Sequence, residues 1–153
     1  MKSMLTVLMM IVCCLSLNAA AQQQNYTEES PMSGVFSAPC TTEPVAVSGS
    51  LIANIHLMFN GSIGLVQFHV KEGDNTVGIG MVSNAVYKVR IDEKAQFQFD
   101  RNTLTDQGIR QKFVLSGSGP DNDLIVRYVL RATFDAETQQ FRTRMENSTV
   151  ECK

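Results

Sequence analysis

The chain has 153 residues, 44% of them apolar, and carries 13 basic against 15 acidic residues for a formal net charge of −2. That length fits one ordinary domain with a real core. The mild acidity argues against nucleic acid or an anionic membrane as the main partner.

The N-terminus reads as a cleavable secretory signal over residues 1–21: Lys2 is the positive n-region, Met4 to Leu17 is an apolar run, and Ala19-Ala20-Ala21 supplies small residues for cleavage after Ala21. The run breaks at Ser16 and Asn18, short of the roughly 20 apolar residues that a membrane span needs, so no transmembrane segment is expected. Lipidation at Cys13 or Cys14 is disfavoured by Val12, which stands where a small residue would precede an acylated cysteine. The mature chain of 153 − 21 = 132 residues loses Lys2 and carries 12 basic against 15 acidic residues. It is expected to be secreted or periplasmic.

Residues 22–39 are polar and show no hydrophobic alternation, so they read as a flexible leader to a single β domain over residues 40–153. From Glu43 onward the period is two. Leu51, Ala53, Ile55, Leu57 and Phe59 share one face of a strand. Asn60-Gly61 marks a hairpin, and Val66, Phe68 and Val70 return. A short strand interrupted by Gly78 and Gly80 suggests a bulge or bend. Further alternating runs carry Tyr87, Val89 and Ile91, then Phe97 and Phe99, then Ile109, Phe113 and Leu115.

The last hairpin turns at Asp135 to Gln140. Its apolar faces coincide if paired positions sum to 275, with Phe134 opposite Phe141 and Leu130 opposite Met145. With no helical pattern in the mature chain, the expectation is an all-β fold: a single antiparallel barrel or sandwich of about seven or eight strands, an up-and-down meander favoured.

Cys40 and Cys152 are the two cysteines left after signal removal and are expected to form a structural disulfide. The loop would exceed 100 residues, worth roughly 4 to 5 kcal/mol in the chain-entropy model.

Candidate chemistry is sparse, and no cofactor or metal set is legible. His56 and His69 could be neighbours across the first hairpin, but two imidazoles fall short of the three or four ligands of a metal site. Arg127, Arg131, Arg142 and Arg144 alternate on one face of the last hairpin, with Arg131 opposite Arg144. That is a candidate face for an anion or partner unless a carboxylate such as Glu146 neutralises it. Ser116-Gly117-Ser118-Gly119-Pro120 reads as a turn rather than a phosphate cradle, because a strand and not a helix follows. Its serines lack a nucleophile elbow. The Asn-x-Ser/Thr triplets at Asn25, Asn60 and Asn147 are glycan acceptors only in a eukaryotic source.

Pro39-Cys40, the segments Glu43 to Leu57 and Phe113 to Pro120, and the terminal Glu151-Cys152-Lys153 together resemble a family of small, secreted, uncharacterised bacterial β proteins. The resemblance implies fold and compartment, not an activity. Members often carry histidines where this chain has Arg127 and Arg131.

The favoured function is a non-enzymatic binding module that holds an apolar small molecule inside a barrel or a protein on its surface. One alternative is a barrel-type cyclase or isomerase using Tyr87, Tyr128 and His56. Another is an interaction or inhibitor protein acting through the arginine face.

Overall fold

A computed structural model of the chain describes residues 22–39, 41, 43–118 and 123–153. The expected signal segment over residues 1–21, Cys40 and the Gly119-Pro120 end of the serine-glycine turn lie outside the described residues.

Among the described residues nine antiparallel strands form one sheet: β1 (Gln22–Phe36), β2 (Val45–Asn60), β3 (Ile63–Glu72), β4 (Val77–Gly80), β5 (Val86–Arg90), β6 (Asp92–Asp100), β7 (Thr105–Ser116), β8 (Asp123–Asp135) and β9 (Gln140–Cys152). Their order is β6-β3-β2-β4-β5-β7-β8-β9, with β1 on the other edge of β2, and the sheet is not closed. The all-β expectation holds. The first three and last three strands follow one another as hairpins. In the middle the succession breaks, because β4 returns to β2 and β6 crosses back to β3.

The segment expected to be a flexible leader is β1, which pairs with β2 along its whole length, from Gln22 opposite Phe59 to Phe36 opposite Val45. Residues 22–36 therefore belong to the β sheet rather than leading into it. Its alternation is hidden because several inward positions are polar or lack a side chain: Tyr26, Glu28, Ser30 and Gly34 precede Phe36, with Met32 among them. Pro31 sits at no cost to the ladder because β1 is an edge strand, where a missing N–H can face outward.

β2 is shared by two layers. Its first half pairs with β4 up to Ser48 opposite Val77, and its second half pairs with β3 from Leu51 opposite Glu72. The change of partner occurs at Gly49-Ser50. Gly49 has φ +145°, a conformation that side chains rarely adopt, and an added methyl there would lie 2.4 Å from the Thr76 Cα. The Thr76 hydroxyl accepts from the Ser50 N–H (3.0 Å) and donates to the Ser50 carbonyl (2.9 Å), to which the Gly73 N–H also donates (2.9 Å). Every backbone group of the bend at Ser50 thus finds a partner although the ladder is interrupted.

The inner faces of the two layers meet in a ring cluster. Phe68 and Phe99 from the first layer contact Phe141 at 5.5 and 4.9 Å between centroids, and Phe99 contacts Phe134 at 4.5 Å. Toward the other end, Phe36 packs edge-on against Phe113 at 5.5 Å. Such pairs add about 0.5–1.5 kcal/mol each beyond their area burial. The alternation expected for β2, β3, β5 and β8 is observed: Leu51 to Phe59, Val66 to Val70, Tyr87 to Ile91 and Leu124 to Phe134 face inward and are buried.

The final hairpin has the expected register, Phe134 opposite Phe141, Leu130 opposite Met145 and Arg131 opposite Arg144, until a bulge shifts it by one beyond Val129. The extra residue lies on β9, where Asn147 takes φ +46°. The first hairpin turns through Gly61-Ser62, one residue later than expected. Gly78 and Gly80 are not a bulge, since both pair regularly with β2. They allow close approach: a methyl on Gly80 would lie 2.3 Å from the Glu43 carboxylate.

That carboxylate is buried and caps the β4–β5 turn, accepting from the Val82 N–H (2.6 Å), the Ser83 N–H (2.7 Å) and the Ser83 hydroxyl. The Ser83 hydroxyl, followed by the two backbone donors, holds Glu43 below its ordinary pKa of 4.5. A depressed folded-state pKa contributes stability that is present above the unfolded value and lost as pH falls through the folded one. Glu43→Gln is expected to lower the melting temperature at pH 7 and to flatten its decline below about pH 4.5, measured by thermal denaturation across pH. Gly49→Ala is expected to cost about 2–4 kcal/mol in urea unfolding, the range for forced backbone strain plus a steric clash.

Candidate functional site

The outer face of β1-β2-β3-β6 carries two aligned rows of polar side chains. One row runs Asn25, His56, Gln67 and Gln96; the next runs Thr27, Asn54, His69 and Lys94. The period of two sends all eight to one face, and the ladder sets adjacent members about 4.8 Å apart. They line a surface groove of about 780 Å³.

Neighbours within the rows hold one another. The Thr27 hydroxyl donates to the Asn54 carbonyl oxygen at 3.0 Å, and the Gln67 amide donates to Gln96 at 3.3 Å. His56 Nδ1 is hydrogen-bonded to the Asn25 side-chain oxygen. His69 Nε2 meets the Asp92 carboxylate at 2.5 Å, and this bond, aided by the charges of His69, Lys94 and Lys71, holds Asp92 below its usual range. The surface is preorganised, with donors and acceptors interspersed and fixed charge confined to the Lys94 and Asp92 end.

His56 and His69 are thus brought into one groove, on adjacent strands as the sequence allows. Among the described residues no group of three His, Cys, Asp or Glu side chains is placed to hold a metal ion. Tyr87 and Tyr128 do not join them. Both point into the core, 5% and 2% exposed, and the Tyr128 hydroxyl donates to Gln111 at 2.8 Å. Burial pushes the Tyr128 phenol well above its ordinary pKa. The trio of Tyr87, Tyr128 and His56 is therefore not assembled at one pocket.

The arginine face is largely neutralised. Arg127 pairs with Glu151 at 2.6 Å, while Glu146 bridges Arg131 at 3.2 Å and Arg144 at 2.7 Å. Asp106 also approaches Arg131 at 3.6 Å. Glu146 is the carboxylate that lets Arg131 and Arg144 stand opposite one another. Arg142, opposite Thr133, lies near enough to Asp135 to favour its charged form.

Asn54, Gln67, Lys94 and Gln96 were not read as site residues in the sequence, and Asn25 with Thr27 was read only as a glycan-acceptor triplet. Asn25 and Thr27 sit on the strand hidden in the leader, and Lys94 and Gln96 reach the groove only because β6 crosses back to β3. Comparison with protein-family models, with curated proteins and with solved structures finds no match. Among the described residues no helix is long and apolar enough to cross a membrane.

The groove is anchored to the second layer across the seam between β1 and β9, where side chains replace a backbone ladder. The Tyr26 hydroxyl accepts from the Phe141 N–H at 2.5 Å, and the Thr143 hydroxyl donates to Glu28 at 2.8 Å. Tyr26 is pushed up to about 12 chiefly by burial, with the Phe141 N–H opposing and the Glu28 charge adding. Tyr26→Phe leaves the part-buried Phe141 N–H without its acceptor. The expected loss is about 1–2 kcal/mol, read by denaturant unfolding, with faster amide exchange at Phe141.

Proposed function

We propose that the chain is an exported binding module that takes a neutral, hydroxyl-rich small molecule, such as a saccharide, in the groove around His56 and His69. The observation that carries this reading is the alignment of two four-residue polar rows into one groove of about 780 Å³. Amides, imidazoles and a hydroxyl each combine or interconvert donor and acceptor roles, as do the hydroxyls of a sugar. The space between the layers is occupied by the phenylalanine cluster, so the surface groove is a better place for a ligand than a barrel interior. The sequence has no Trp. Recognition would therefore rest on hydrogen bonds rather than on stacking against indole, and individual affinities would be modest.

Export rests on residues 1–21, and cleavage after Ala21 would leave all nine strands in the mature chain. The Cys40–Cys152 disulfide belongs to the same reading: it would tie the connection between β1 and β2 to the end of β9. Intact mass of the secreted protein, expected to start at Gln22 and to be two hydrogens lighter than its reduced form, checks both points.

Saturation-transfer NMR against a panel of neutral mono- and disaccharides tests the ligand class. At least one sugar is expected to bind, and His56→Ala combined with Gln67→Ala is expected to weaken it by about tenfold, near 1.4 kcal/mol. A panel without any binder, or a binder indifferent to that double substitution, would overturn the groove reading.

A further inference from the structure

Four cations without carboxylate partners lie beside the arginine hairpin, on β5 and β7. Lys88 stands beside Ser116 and Arg90 beside Val114, and where β5 ends the line steps onto β7 at Lys112 and Arg110. All four are exposed, and they occupy successive outward positions about 6.8 Å apart along the strands. Among the described residues none of the four has a carboxylate within ion-pair distance, and Arg90 lies near enough to Asp123 to favour that carboxylate's charged form.

A second observation falls on the same strip. Arg110 and Lys112 line a cleft of about 570 Å³. Two exposed cations at one cleft favour an anionic oxygen between them. Glu93 also lines the cleft, and Arg127 beside it is paired with Glu151. The local balance stays positive on a chain whose net charge is −2.

We infer that the outer face of β5 and β7 binds a single anionic chain, an acidic polysaccharide bearing sulfate or carboxylate groups, with one such group seated in the cleft at Arg110 and Lys112. The width of the strip selects this class. On one side stand Glu72, Asp92 and Glu93; on the other the cations of β8 are closed by Glu146 and Glu151. A membrane plane or a nucleic-acid duplex would press phosphates against those carboxylates, whereas one chain fits between them. A single-stranded nucleic acid would need aromatic platforms for its bases, and the nearby rings of Phe113 and Tyr128 are turned inward, 1% and 2% exposed.

The test uses full-length secreted protein with size-defined heparin fragments as the sulfated probe and alginate oligomers as the carboxylate probe, at several salt concentrations. Binding to either is expected, and whichever is tighter identifies the anionic group. Arg110→Ser with Lys112→Ser is expected to weaken it about tenfold or more and to lower the salt slope by about two. A charge-matched control, Lys71→Ser with Arg101→Ser, is expected to bind as the parent does. Equal loss in both doubles would overturn the site in favour of diffuse charge. So would a failure of both probes to bind, or equal or tighter binding to a single-stranded oligonucleotide or to anionic phospholipid vesicles.

Discussion

The structure depends on one strand belonging to two layers. β2 offers one edge to β1 throughout and divides the other between β4 and β3. That division requires an abrupt redirection within a continuous strand, and Gly49 with the Ser50–Thr76 hydrogen bonds supplies it. Without the bend, β3 and β6 could not fold over β8 and β9, and the phenylalanines of the two layers would not meet. Both outer surfaces inherit their shape from this constraint.

Because the sheet is not closed, its margins meet through side chains. Tyr26 and Glu28 on β1 reach Phe141 and Thr143 on β9, doing with four groups what a ladder does with a run of backbone pairs. This explains why inward positions of β1 are polar. They are seam residues, buried enough to need partners and placed where the partners are hydroxyl and amide groups. The same edge position accommodates Pro31, which also guards the margin against pairing with another chain.

The two outer faces differ in chemistry. The face of β1, β2, β3 and β6 gathers amides and imidazoles into a nearly neutral groove, while β5 and β7 display cations between flanking carboxylates. Arginines that alternate most visibly in the sequence are those the fold neutralises, through Glu146 and Glu151. The exposed cations of β5 and β7 alternate less visibly because they are split between two strands distant in sequence. An ionic patch is defined by what lies beside it in space. Counting charges along one hairpin therefore identifies the wrong strand.

The alternation of apolar residues in β2, β3, β5 and β8 was legible in the sequence because a half-buried strand imposes a period of two on its own side chains. The register of the last hairpin was legible for the same reason, as matching faces leave one alignment in which Phe134 meets Phe141. So was the adjacency of His56 and His69, which follows from a short turn. Tertiary structure decided everything that depends on strands meeting across long stretches of chain. It made residues 22–36 a strand by giving their polar inward groups partners on β9, and sent β6 back to β3 to complete the groove. It placed Tyr87 and Tyr128 in the core and selected which cations remain unpaired. A strand's own pattern records which face is dry; it holds no record of which strand will lie alongside.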